Sequence, residues 1–220
     1  MAVTDANIGR VIRLLRRAVK DLPDPSVTLV GKRWREPFLV LVSCLLSLRT
    51  KDETTLPAAR RLFALGTTPR TLRRLTARQI EKAIYPVGFY RTKARTILNI
   101  CDEIIRRFNG RVPDTLGELL TLKGVGRKTA NLVLVEGFQK PAVCVDTHVH
   151  RISNRMGYVR TRTPEETETA LRQKLPRAFW MDYNALLVTW GQNICRPLSP
   201  WCSRCAICLD CAQRGVTTRR

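Results

Sequence analysis

Apolar residues recur every three to four positions along most of the chain, and alternating, strand-like runs are absent. Near the N-terminus Ile8, Val11, Ile12, Leu15 and Val19 fall close to helical spacing, with Arg10, Arg13, Arg16 and Arg17 among them. Those arginines interrupt any signal-peptide core. With Asp5 present and serine lacking, the stretch reads as a docking helix rather than a transit peptide. From Pro37 to Leu48 the residues are apolar almost all round, which predicts a central buried helix. The run from Phe38 to Leu48 is the longest apolar one and is too short to span a bilayer. Helix punctuation supports the same picture. Thr76 to Gln79, Thr115 to Glu118 and Thr163 to Glu166 match capping boxes, Pro164 sits at a first helical position, and Asn109–Gly110 closes the segment Arg91 to Phe108. No internal repeat or low-complexity linker breaks the pattern. The expected fold is all-α.

Charge narrows the partners. The 220 residues are 44% hydrophobic, which suits a folded chain. They carry 39 Lys+Arg against 18 Asp+Glu, a formal net charge of +21. Such a surface attracts polyanions, with nucleic acid favoured over anionic membrane. A soluble, intracellular, monomeric protein that avoids membranes is expected.

Eight cysteines add a second chemistry. Cys44, Cys101 and Cys144 lie scattered in apolar segments and read as inert core residues. The other five crowd between Cys195 and Cys211. In a basic intracellular chain this reads as metal or iron–sulfur ligation before disulfides. Two ligand sets are open. Cys202, Cys205, Cys208 and Cys211 are each separated by two residues and would suit tetrahedral zinc. Cys195, Cys202, Cys205 and Cys211, separated by six, two and five residues, are the other set, and the Cys-x2-Cys-x2-Cys portion resembles a ferredoxin-type run.

The segment Leu119-Leu120-Thr121-Leu122-Lys123-Gly124-Val125-Gly126-Arg127-Lys128-Thr129-Ala130-Asn131 is the most informative. An apolar helix is expected to end at Leu122 and a second to begin near Arg127, with two glycines permitting a tight turn between them. Such a turn aims backbone N–H groups at a phosphate, and the following helix adds the positive end of its dipole. On Gly-x-Gly alone, a plain interhelical turn is the simpler reading. Lys128 lies in the first turn beside Arg127, where two positive influences should lower its pKa and favour a Schiff-base nucleophile. The simpler alternative is a solvated charge. Asp146, after Ala142-Val143-Cys144-Val145 and before Thr147-His148-Val149, reads either as a helix N-cap or as a carboxylate that handles a proton or stabilises developing positive charge.

Taken together, Leu122 to Asn131 and Val145-Asp146-Thr147-His148-Val149-His150-Arg151 resemble the helix–hairpin–helix and catalytic region of the endonuclease III family. Leu45-Leu46-Ser47 before Asp52 and Gly88-Phe89-Tyr90 with Lys93 resemble its buried helix and DNA-intercalating loop. The similarity covers about residues 7 to 211. It implies a DNA glycosylase and abasic-site lyase, acting on oxidised pyrimidines in damaged double-stranded DNA. Lys128 falls on the family's Schiff-base lysine and Asp146 on its catalytic aspartate. Lys123, Gly124, Val125, Gly126 and Arg127 fall on its phosphate-gripping hairpin. Relatives that only remove a base usually lack the lysine. The resemblance also implies a 4Fe-4S cluster on Cys195, Cys202, Cys205 and Cys211, with Cys208 as an extra thiol, and a structural role for it in a loop bearing Arg196 and Arg204. Two helical domains are implied, residues 30–140 against residues 1–29 with 141–220, flanking a cleft into which a damaged nucleotide is flipped. Three positions depart from the family. Lys123 replaces a common proline, Arg49 stands where glutamine often fills the gap left by the flipped base, and Lys51 replaces a smaller polar residue. Arg49 puts the opposite-base preference in doubt. Phe89 reads as an unstacking wedge or, more simply, as a core residue at a helix start. The competing functions are a lyase acting mainly on abasic sites, a non-catalytic DNA-binding iron–sulfur protein, and a zinc-dependent nucleic-acid binder.

Overall fold

The computed structural model describes residues 2–220, and among them every regular element is helical. The chain forms two compact units. The first, Pro25–Ala142, contains α2 (Ser26–Trp34), α3 (Pro37–Ser47), α4 (Asp52–Leu65), α5 (Pro69–Arg73), α6 (Ala77–Ile84), α7 (Tyr90–Phe108), α8 (Leu116–Leu120) and α9 (Arg127–Leu132). The second joins the chain up to Asp24, with α1 (Ile8–Ala18), to Val143–Arg220, with α10 (Thr147–Arg155), α11 (Pro164–Lys174) and α12 (Tyr183–Asn193). The two units part after Asp24 and again after Ala142, so α2 lies whole in the first of them.

In the first unit α3 is the axis. Every residue from Phe38 to Leu46 is buried, and α2, α4, α7 and α9 pack around it. A helix apolar on all sides has no face to give to water, so surrounding it is the way to satisfy it. The 19-residue α7 buries Ala94, Ile97, Ile100, Cys101 and Ile104 at intervals of three to four, leaving its opposite face to arginines. Asn109 ends α7 in the left-handed region with φ 50°, and Gly110 follows at φ 83°. Thr76 and Gln79 form a reciprocal capping box for α6, as does the unforeseen Thr68–Thr71 pair for α5. The six residues of α9 run directly into one turn of π-helix, Val133–Gly137.

The second unit has its own core. From α1 come Ile8, Val11, Ile12 and Leu15, which meet Val149, Ile152, Leu171, Leu187 and Trp190. Among the described residues, no helix is long and apolar enough to cross a membrane.

Candidate DNA-processing site and cysteine centre

α8 stops at Leu120, two residues sooner than its apolar run suggests. Tight turns take over, with Leu122 N donating to Leu119 O at 3.2 Å and Val125 N to Leu122 O at 3.0 Å. Gly124 sits at φ 95°, and a Cβ there would lie 2.9 Å from Thr96 Cγ2 of α7, so both conformation and space call for glycine. Gly126 is different: its φ is −91°, it opens α9 by accepting from Ala130 N at 2.9 Å, and open space surrounds its Cα. The Lys123 amide is tied to Glu103 Oε1 at 3.3 Å. Among the described residues, the Gly124 and Gly126 amides have no protein acceptor. Lys123, Gly124, Gly126 and Arg127 are exposed, while Val125 is buried and anchors the turn. The result is an outward-facing turn with two donors and two cationic side chains.

Lys128 is the second residue of α9 and is half-buried. Its charge reaches Cys44 on α3, where it opposes the larger effect of burial, which pushes that thiol up to about 12. Cys101, likewise buried, is also pushed up to about 12. Both thiols are therefore protonated at neutral pH, in keeping with inert core residues.

Asp146, in the second unit, caps α10. Its Oδ1 accepts from His148 N and Val149 N, both at 2.9 Å, and the residue is 9% exposed. The cap holds the carboxylate through backbone N–H groups of its own helix, and Oδ2 lies outside those two bonds.

Arg49 and Phe89 come together in the first unit. The chain leaves α3 through Leu48, and Arg49 adopts φ 52°. Phe89 adopts φ 57° as the residue preceding α7. The Arg49 guanidinium carbon lies 5.6 Å from the centre of the Phe89 ring. Phe89 is 61% exposed, so the simpler reading of it as a core residue does not hold.

The cysteine loop follows α12. Successive tight turns link Cys205 N to Cys202 O (3.2 Å), Cys208 N to Cys205 O (3.1 Å) and Cys211 N to Cys208 O (3.2 Å). A three-residue step thus brings each cysteine to the same side, and with Cys195 all five line one cavity beside Trp201 and Val216. Burial pushes the Cys205 thiol up to about 12 and raises Cys202 and Cys211, with neighbouring thiols adding to the effect. Thiolates persist here only opposite a strongly positive centre. Among the described residues, no three His, Cys, Asp or Glu side chains converge to hold a single metal ion. Soft donors arrayed around a cavity fit a polynuclear iron–sulfur group, in which each iron takes its own thiolate.

Three supporting residues are not visible from cysteine spacing. Arg155, 9% exposed, donates to Cys195 Sγ at 3.6 Å and to the carbonyls of Arg196 and Pro197 at 2.6 Å. Arg151 donates to Cys195 O at 2.7 Å and Gly191 O at 3.2 Å. Gln213 gives its backbone N–H to Cys211 Sγ at 3.4 Å and its amide to Cys208 Sγ at 3.5 Å. Such donors orient and stabilise metal-bound sulfur. Two arginines four apart on one helix were the available signal, but only packing says what they face.

Known proteins share this organisation. Residues 42–177 match the HhH-GPD superfamily base excision DNA repair protein family. Endonuclease III of Thermotoga maritima is 49% identical over 176 residues, covering 80% of this chain and 83% of that protein. Endonuclease III homolog 2, chloroplastic, of Arabidopsis thaliana is 44% identical over 183 residues; these span 79% of this chain but 47% of that longer protein. A solved structure of a trapped endonuclease III–DNA covalent intermediate, an estranged-adenine complex, superposes with a TM-score of 0.85 at 32% identity. It covers 96% of this chain and 97% of the other. The helical architecture, the glycine turn ahead of Lys128 and these likenesses together establish that the chain belongs to the HhH-GPD superfamily of base excision DNA repair proteins and, within it, to the endonuclease III family.

Proposed function

We propose that this chain is a bifunctional DNA glycosylase and abasic-site lyase that removes oxidised pyrimidines from double-stranded DNA. The observation that carries the reading is Lys128 in the first turn of α9, directly behind a turn whose Gly124 and Gly126 are exposed and donate no backbone hydrogen bond among the described residues. That arrangement grips a phosphate through groups blind to sequence and holds an amine beside the sugar that belongs to it. Lys128 Nζ attacks C1′ of the damaged nucleotide. The C1′–N bond breaks and its electron pair leaves with the base, which is protonated as it departs. Asp146 stabilises positive charge developing at C1′ and takes the proton shed by the amine. Ring opening gives a Schiff base, removal of a C2′ proton expels the 3′ phosphate, and water then releases Lys128.

Lys123, Val125 and Arg127 complete the phosphate grip, and Arg49 with Phe89 engages the duplex where the nucleotide leaves it. Cys195, Cys202, Cys205 and Cys211 would hold a 4Fe-4S cluster, which braces the loop bearing Arg196 and Arg204 against phosphates; Cys208 stands beside it as a fifth thiol. The protein acts as a monomer on genomic DNA inside the cell, away from membranes. A second reading, a lyase working mainly on existing abasic sites, draws support from Arg49. Its guanidinium offers donors and no acceptor to the orphaned base, unlike glutamine.

Borohydride trapping on two duplexes, one with an oxidised pyrimidine and one with an abasic site, tests both readings. Covalent complexes on both are expected. Trapping on the abasic duplex alone would move the assignment to the lyase, and trapping on neither would leave only a DNA binder. Binding should also weaken by about 10³-fold or more between roughly 50 and 200 mM salt, if six or more phosphates are neutralised. A titration with a flat salt response would remove the phosphate grip from the account.

A further inference from the structure

Among the described residues Lys93 is the one buried lysine, 8% exposed, one turn into α7. Its Nζ donates to Leu46 O at 2.8 Å, to Leu48 O at 2.5 Å and to Thr50 Oγ1 at 3.1 Å. Three acceptors meet the three N–H bonds of an ammonium. Two of them are carbonyls at the C-terminal end of α3, the negative end of that helix, which has no further turn to satisfy them. Burial nonetheless lowers the amine to about 8, and the bonds around it are to neutral oxygens, so the charge is held at a cost.

What that cost sustains is the geometry of two exposed residues. Leu48 and Thr50, both bonded to Lys93 Nζ, flank Arg49. Thr50 Oγ1 also accepts from Gly88 N at 3.1 Å and donates to Leu48 O at 3.3 Å, using its one proton and both lone pairs. Gly88 immediately precedes Phe89, and the backbone N–H of Lys93 itself donates to Phe89 O at 3.0 Å. A Cβ on Gly88 would come within 2.7 Å of Arg49 O, so the two loops touch backbone to backbone. Arg49 and Phe89 both hold left-handed backbone, a conformation that persists only where its surroundings over-determine it.

We infer that Lys93 is a positioning residue that locks the Arg49 and Phe89 loops into a single rigid wedge for opening duplex DNA. The inference rests on the reading of Arg49 and Phe89 as duplex-contacting residues. Its function is therefore felt only when a nucleotide must be extracted from a stack. A lesion already outside a duplex makes no demand on the wedge.

The test compares excision of an oxidised pyrimidine from a fully paired duplex with borohydride trapping on a single-stranded abasic oligonucleotide. Lys93→Met, which keeps the length of the side chain and removes its donors, should slow duplex excision by about tenfold or more, since a displacement of about 1 Å can cost 10²-fold. Trapping on the single strand should stay within about twofold of the parent. If Lys93→Met fails to fold, Thr50→Val removes the shared hydroxyl and should show the same selectivity more mildly. Phe89→Ala serves as reference, and in that background Lys93→Met should add little. Equal losses on both substrates for Lys93→Met, or a full multiplicative loss on top of Phe89→Ala, would overturn the positioning role. Should Phe89→Ala and Arg49→Ala themselves cost both substrates equally, the wedge reading fails first, and for a different reason.

Discussion

Replacing Lys128 by alanine eliminates borohydride trapping and lowers abasic-strand cleavage by at least about 10³-fold, roughly 4 kcal/mol of transition-state stabilisation. The fold should survive, because Lys128 is half-buried at the second position of α9 and alanine is a better helix former. Lys128→Arg sharpens the experiment. It keeps a positive charge behind the turn but has no nucleophilic amine at neutral pH, so it should bind DNA like the parent and trap nothing. Retained trapping in Lys128→Ala would transfer the nucleophile to another amine. Retained trapping in Lys128→Arg alone is not chemically available to the Schiff-base mechanism, and observing it would count equally against the assignment.

Replacing Cys205 by serine should abolish the brown colour and bring iron per chain close to zero, with a large fall in DNA affinity. Cys205 is the middle of the stepped turns, donating to Cys202 O and accepting from Cys208 N. Among the thiols lining this cavity it is one whose ionisation most needs a positive partner. Binding a metal centre is part of the folding free energy of such a loop, on the order of 10 kcal/mol for structural zinc sites, so its loss is not confined to one ligand. Cys208→Ser supplies the contrast: it should keep both iron and colour. The opposite pattern, iron lost with Cys208→Ser and kept with Cys195→Ser, would assign the ligands to Cys202, Cys205, Cys208 and Cys211. Iron analysis and the visible spectrum read this without any assay of repair.

The sequence reads most clearly where local rules and packing agree. The all-round apolar character of Phe38 to Leu46 announces a helix that must be surrounded, and it is. Asn109–Gly110 and Thr76–Gln79 end and begin helices by local chemistry that needs no tertiary context. α8 is shorter than its apolar run because Leu122 is buried by the turn rather than by a helix, and hydrophobicity cannot distinguish the two. The π turn Val133–Gly137 leaves no trace in the apolar pattern. At the candidate site, residue types at Lys128, Asp146 and the cysteines carry their chemistry on their face. Lys93, Arg151, Arg155 and Gln213 do not. The first three act through main-chain carbonyls 40 or more positions away and Gln213 through a sulfur across a turn, and such partners are anonymous in a one-dimensional text.

One helix in the second unit has an unusual division of labour. α10 begins at the Asp146 cap and ends at Arg155, which grasps the loop after Cys195, with Arg151 grasping it one turn sooner. At nine residues it is a stiff rod of about 14 Å. Whatever tightens or loosens the sulfur loop therefore pulls on a rod whose other end sets the carboxylate. A change in how that loop is held is thus expected to reach the Asp146 carboxylate through one rigid element, without any contact of its own at the carboxylate.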